Sequence, residues 1–176
     1  MTKHELMHAF AANHSEAIDF VNNLDENQWN YAEPRKWSAG QQLKHLYLTI
    51  LPFPRALQSK SILLEKFGSI QREKLEYEEV IDRYMQSSRK APGQYVPDSV
   101  SFDEKPEIIR NIRETISQIT MLFLEYDESE LDHSVLPHPL LNLLTIREMF
   151  YLMTYHPLHH LTSFKLQLDS IPVKTS

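Results

Sequence analysis

The chain has 176 residues, of which 24 are acidic and 18 basic, so that its formal net charge is −6. Cysteine is absent, which excludes disulfides, thiolate metal sites and a cysteine nucleophile, and favours a cytoplasmic location. Three widely spaced glycines exclude a dinucleotide fingerprint, a P-loop and a serine elbow. No basic run suits a nucleic acid, and no apolar stretch approaches the roughly 18 residues of a membrane span. We therefore expect one soluble, unprocessed domain over residues 1–176.

Apolar residues that recur every three or four positions predict helices over most of the chain. The four long segments with this period cover about residues 3–23, 38–51, 104–126 and 145–168. Three of them open with a capping box, formed by Thr2 with Glu5, Ser38 with Gln41, and Thr145 with Glu148. Pro52 and Pro54 should end or kink the second helix near Leu51, and Ile171 with Pro172 should end the fourth.

The remaining segments fit around these four helices. The third helix starts after Ser101 or Asp103, with Pro106 in its first turn. Residues 60–100 are charged, with a short helix over 77–88, and we interpret them as an elaborated connection rather than a second domain. The polar stretch 22–30 ends the first helix. The predicted fold class is all-α, a four-helix bundle with one long crossover connection.

Histidine is frequent, with nine residues, and three of them lie close together in the fourth helix. At about 100° per residue, His156 and His160 share the apolar side of that helix, whereas His159 lies towards the polar flank. A single inward histidine is more often a core residue bonded to a neighbour. Two buried rings one turn apart each need a polar partner, and one shared cation would satisfy both.

A metal ion needs at least a third protein ligand. His45 is the candidate, because it lies at the edge of the second helix's apolar stripe, between Gln41 and Thr49 on the same polar strip. Alone, this pattern is equally typical of an interfacial histidine in contact with solvent.

The other histidines are weaker candidates. His4 and His8 form another pair one turn apart, but they face away from the core stripe, so that we expect them in solvent. His14 lies nearer the core edge. His133 and His138 belong to a proline-containing loop before the fourth helix, close enough to border a site.

No catalytic residue can be assigned from the pattern. Glu5 and Glu148 are explained as capping-box partners, and no other carboxylate shares the inward faces of the second and fourth helices. A hydrolase wants a general base beside its reacting water, and the candidates are Tyr47, Tyr155, His159 or the substrate itself.

Several landmarks together resemble the DinB-like, or YfiT-like, superfamily of metal-dependent enzymes. These are Lys36-Trp37-Ser38, His45-Leu46, His138-Pro139-Leu140-Leu141, Thr145, Glu148 and His156-x-x-His159-His160. The resemblance implies an up-down-down-up four-helix bundle that holds a divalent ion, often zinc or nickel. One histidine of the second helix and two of the last would be the ligands, which are here His45, His156 and His160. Members with known activity include thiol transferases that use bacillithiol or mycothiol and a maleylpyruvate isomerase, and many others are described as hydrolases.

Two positions depart from that superfamily's pattern. The last-helix motif usually continues with a glutamine three residues after the final ligand, where this chain has Ser163, and Gln167 is a candidate replacement. Pro157 directly follows His156, where it removes a backbone donor and should bend the helix.

The sequence therefore predicts a divalent-metal-binding protein that acts as a metal-dependent transferase of a small thiol, or as a hydrolase of a small molecule. A non-catalytic bundle that senses a metal or small ligand is one alternative, and an interaction protein with purely structural histidines is another. The expected partners are a small-molecule substrate, a low-molecular-weight thiol and, from the resemblance, a second copy of the chain. Neither a nucleic acid nor a membrane is expected.

Overall fold

The computed structural model describes residues 1–87 and 90–171, and most of them are helical. In chain order the elements are α1 (Lys3–Asn22), α2 (Glu26–Asn30), α3 (Ala39–Ile50), α4 (Phe53–Leu57), α5 (Lys60–Phe67), α6 (Tyr77–Met85), α7 (Lys105–Leu124), α8 (Glu128–His133), β1 (Val135–His138), β2 (Asn142–Thr145) and α9 (Ile146–Asp169). Short 3-10 turns cover Gly93–Tyr95 and Phe102–Glu104. Within these residues no helix combines the length and apolar character needed to cross a membrane.

The starts of the long helices follow from local chemistry, and the sequence predicted them. All three predicted capping boxes are present, at the starts of α1, α3 and α9. Helix α3 ends before Pro52, as predicted, and the chain continues into α4. Ser101, rather than Asp103, caps the 3-10 turn that leads into α7. Each cap supplies partners for backbone N–H groups that the first helical turn leaves free.

Several shorter elements were missed. The polar stretch after α1 contains α2, which Asp25 and Gln28 open with a further capping box. The long connection contains α5 as well as the predicted α6, and α6 ends at Met85; Ser88, the predicted end of that helix, lies outside the described residues. Pro172, the predicted stop of the last helix, lies outside them too, and α9 is capped at Ser170.

A short helix and an antiparallel hairpin replace the loop expected before α9. The strands β1 and β2 pair in a register that runs from Val135 opposite Thr145 to His138 opposite Asn142. Asn142 has a φ of 64°, a left-handed conformation that Asn tolerates and that closes the turn. Strands of four residues, one of which contains Pro137, have too little periodicity to be recognised from sequence.

The four longest helices share one apolar core. Helix α1 packs against α7 and α9, and α3 packs against the same two helices. Phe150 of α9 is fully buried at the centre, where its ring meets those of Phe10 and Phe123 with centroids 5.2 and 4.6 Å away. This packing turns the inward faces of α3 and α9 towards each other.

Helix α9 runs through Pro157 without a break. The nitrogen of Pro157 cannot donate the usual helical hydrogen bond to the carbonyl four residues before it. The carbonyl of the following residue, Thr154, accepts a hydrogen bond of 2.9 Å from the Asn13 side chain of α1. Because the helix continues, His156 and His160 stay one turn apart on the same face.

Buried Glu148 ties the long connection to the first turn of α9. Its carboxylate accepts two hydrogen bonds from the Arg72 guanidinium, at 2.6 and 2.7 Å, and further ones from the backbone N–H groups of Leu75 and Thr145. Burial alone would raise the pKa of Glu148, but these bonds hold it below the usual carboxyl value. The residue is structural, as its place in the capping box predicted.

Candidate metal centre

Three buried histidines from two helices meet between α3 and α9. One ligand atom from each of His45, His156 and His160 lies within 4.8 Å of the other two. The Nε2 atom of His156 is 3.3 Å from that of His45 and 3.2 Å from that of His160. Tetrahedral ligands held at about 2.0–2.1 Å from zinc lie about 3.3 Å apart, so these spacings suit a common ion.

The outer nitrogens of two rings are fixed by carbonyl groups. His45 Nδ1 lies 2.6 Å from the backbone oxygen of Tyr95, which can only accept a hydrogen bond. His160 Nδ1 lies 3.1 Å from Gln42 Oε1, and the Gln42 amide is oriented by donation from its Nε2 to the Trp37 backbone oxygen. Each Nδ1 therefore carries the proton, so that each Nε2 presents a free lone pair.

With these tautomers, the three facing Nε2 atoms have too few N–H donors to satisfy one another by hydrogen bonds. The lone pairs of His45 and His160 both face His156 Nε2, and a neutral His156 has at most one proton to donate there. Burial lowers the pKa of all three rings, and the neighbouring imidazoles lower those of His156 and His160 further. The rings are thus neutral near pH 7, the form in which imidazole binds metals, and the group could hold a metal ion.

The histidine group borders a cavity of about 470 Å³. His45 and His156 contribute to its wall, together with residues of α3, α4, α5, α6, α9 and β1. Most of the wall is apolar or aromatic, including Phe53, Phe67, Tyr84, Leu136, Leu140, Met149, Leu152 and Met153. Among the lining residues that the structure describes there is no Asp, Glu, Lys or Arg. Such a size and lining are typical of a small-molecule site.

Two further histidines border the cavity. His159 lies at its rim, with its ring at a right angle to that of Tyr84, and its pKa is lowered by partial burial. His138 lines the cavity as predicted, but from the end of β1 rather than from a loop. Tyr47 and Tyr155, the hydroxyl candidates for a general base, are not among the lining residues described.

The remaining histidines lie elsewhere. His4 and His8 are exposed on α1, as predicted. His133 is exposed and bonds through Nδ1 to the Ser129 backbone oxygen, so that its expected place beside the site was wrong. His14 is buried and bonds to Phe10, and burial lowers its pKa to about 4, but it lies outside the three-histidine group.

The partner of His160 differs from the expected one. Gln42 of α3 supplies it, whereas Gln167 donates to the Trp37 backbone oxygen at 2.9 Å and Ser163 takes neither part. Sequence reasoning missed Gln42 although it lies three residues before His45, on the same helix face. No sequence pattern pointed to Tyr95 as the partner of His45, because Tyr95 belongs to an irregular stretch of the long connection.

Helices that enclose three converging neutral imidazoles beside an apolar cavity define a helical protein with a potential metal centre in its core. A family model described as the DinB superfamily matches residues 9–163, and the chain belongs to that superfamily. The resemblance found in the sequence is thereby confirmed. Comparison with curated proteins and with solved structures gave no match.

Proposed function

We propose that the chain binds one divalent metal ion, zinc or nickel, through the Nε2 atoms of His45, His156 and His160. The observation that carries this proposal is the convergence of Nε2 atoms from two helices, two of them with lone pairs fixed by carbonyl partners on the far side of the ring. Imidazole is a good ligand for both metals. Membership of the DinB superfamily supports the same assignment.

We propose further that residues 1–176 form a single domain in which α1, α3, α7 and α9 are the four-helix bundle. In this arrangement α4, α5 and α6 belong to the long crossover between the second and third bundle helices. The crossover then has a function, because α6 and the 3-10 turn at Gly93–Tyr95 form part of the cavity wall.

The proposed activity is the transfer of a low-molecular-weight thiol to an electrophilic small molecule held in the cavity. A bound divalent ion supplies Lewis acidity, which makes a thiol or a water molecule easier to deprotonate near neutral pH. The sulfur forms a bond to an electrophilic carbon, the leaving group departs with the former bonding pair, and the thiol proton passes to solvent. Because the chain has no cysteine, the sulfur comes from the cosubstrate.

We prefer thiol transfer to hydrolysis because of the small number of possible general bases in the cavity wall. A hydrolase usually places a carboxylate or another base within hydrogen-bond reach of the attacking water. The described lining residues include no carboxylate. Besides the proposed ligands, the histidines among them are His138 and, at the rim, His159. A thiol is far more acidic than water, so that its deprotonation needs less help from the protein.

Metal content tests the first step. Protein purified without a histidine tag is analysed by plasma mass spectrometry, with His160→Ala as the test variant and His133→Ala as the matched control. We expect about one ion per chain in the natural protein, as a mononuclear site requires, and in the control. We expect its loss in His160→Ala. A natural protein without stoichiometric metal would refute the metal centre.

Turnover tests the reaction. The metal-loaded protein is incubated with a panel of small thiols and an aryl halide, and thiol consumption and halide release are followed together. We expect turnover that is lost on chelation and in His156→Ala. Metal binding without turnover over the whole panel would favour a sensor, and cleavage of esters instead of thiol transfer would favour a hydrolase.

A further inference from the structure

The hairpin before α9 holds a histidine at the cavity wall that the metal centre does not use. His138 is the last residue of β1, and Pro139, Leu140 and Leu141 form the turn that leads into β2. Its side chain lines the same cavity as His45 and His156. The residue is half-buried, so that its side chain keeps some accessible surface.

The hairpin turn fixes the proton of this ring. His138 Nδ1 accepts hydrogen bonds from the backbone N–H groups of Leu140 and Leu141, both at 3.2 Å. The acceptor nitrogen cannot carry a proton, so a neutral ring must carry its proton on Nε2. A side-chain acceptor that binds the N–H groups two and three residues ahead is the pattern of an Asx turn, with Nδ1 in the place of the Asn oxygen.

The remaining N–H group has no protein partner. Among the described residues, no hydrogen bond involves His138 Nε2, although the ring forms part of a largely apolar wall. Burial lowers the pKa of His138 to about 4, so that the ring stays neutral at physiological pH. The cavity therefore contains a permanent, uncharged hydrogen-bond donor.

We propose that His138 is a ligand-positioning residue, whose Nε2–H group donates a hydrogen bond to an uncharged acceptor oxygen of the molecule bound in the cavity. The ligand class that fits is an apolar compound with an uncharged carbonyl group, such as an aryl ketone, ester or amide, that also carries the leaving group of the proposed thiol transfer. A neutral donor gives no charge attraction to a carboxylate or phosphate, and the described wall adds no Lys or Arg. This inference rests on the proposed use of the cavity as the substrate site, and it narrows the electrophile.

Two substitutions separate ligand positioning from turn formation. His138→Asn keeps an acceptor for the turn but removes the distal N–H group, whereas His138→Gln places an N–H group near the position of Nε2 and weakens the turn. The probes are acetophenone and ethylbenzene, which have the same carbon skeleton and differ in that a carbonyl group replaces a methylene group. Their affinities are measured by ligand-observed NMR, and stability is measured by thermal unfolding.

We expect the natural protein to prefer acetophenone. His138→Asn should weaken acetophenone binding by about 2- to 10-fold, the value of one neutral hydrogen bond, and leave ethylbenzene unchanged. His138→Gln should retain the preference despite a lower melting temperature. A purely structural role predicts the reverse pattern, with normal binding by the Asn variant. That pattern, or a natural protein that does not bind acetophenone, would overturn the proposal.

Zinc-loaded and chelator-treated protein distinguish this proposal from the metal centre. The preference for acetophenone should persist without metal, because the donor belongs to the hairpin. If it appears only with zinc, the metal ion recognises the carbonyl and the His138 proposal fails, while the proposed function stands. Two-bond ¹H–¹⁵N spectra give an independent reading: a His138 ring protonated on Nδ1 at pH 7 would contradict the inference.

Discussion

The bond between Gln42 and His160 gives the sharpest test of how the centre is built. In Gln42→Leu the His160 Nδ1–H group loses the acceptor that lies 3.1 Å away. The Trp37 backbone oxygen keeps its bond from Gln167, so that the change is confined to the ring. The imidazole can then move its proton to Nε2, where it blocks the lone pair that a metal ion needs.

The expected magnitude follows from that loss. If the proton stays on Nδ1, the buried unpaired donor costs about 1–3 kcal/mol. If the proton moves to Nε2, the metal-free protein no longer contains that unpaired donor. Metal binding must then return the proton to Nδ1, which costs free energy. Loss of such an orienting partner typically weakens metal binding by about 10- to 100-fold, which corresponds to about 1.4–2.7 kcal/mol.

Zinc affinity is measured by competition with a chromophoric chelator. Gln41→Leu is the matched control, because Gln41 is the neighbouring residue and its side chain accepts a hydrogen bond from the Ser38 backbone N–H in the capping box, with no hydrogen bond to a histidine among the described residues. That variant should lose helix stability but keep its zinc affinity. Gln42→Glu retains an acceptor and should bind zinc more tightly than Gln42→Leu. If Gln42→Leu binds zinc as the natural protein does, the tautomer argument is refuted.

Three further predictions concern stability, measured by urea unfolding. Glu148→Gln removes the charge that faces Arg72 and should cost about 1–3 kcal/mol, because the Arg72 side chain is 34% exposed and water partly solvates the unpaired guanidinium. Since the pKa of Glu148 is lowered in the folded state, its stabilisation is present above the ordinary value of 4.5 and is lost as pH falls through the folded value, and the variant should show a weaker acid dependence. Gly40→Ala places a Cβ 2.5–2.8 Å from buried ring atoms of Trp29 and should cost about 1–3 kcal/mol; unchanged stability would mean that the ring yields freely. Tyr126→Phe removes the buried hydroxyl that donates to the Leu57 backbone oxygen at 2.8 Å and should cost about 1–2 kcal/mol, whereas a neutral result would mean that water replaces the bond.

Short-range patterns predicted the helices and the candidate ligands. The helix starts at Thr2, Ser38 and Thr145 were correct because a capping box involves only four neighbouring residues. The helical period placed His156 and His160 on the inward face because the rotation per residue is fixed. His45 came from the same reasoning together with the family resemblance, and the three rings do meet in the structure.

Only the tertiary structure decided how those rings are held and what surrounds them. Tyr95 lies fifty residues from His45, and Gln42 lies 118 residues from His160, so no local pattern links either pair. The role of His138 depends on a hairpin whose two strands are too short to be recognised separately. Caps and periodicity act over a few residues and are therefore visible in the sequence. A proton's position on a buried ring depends on which distant carbonyl the folded chain brings to it, and that is settled only when the helices pack.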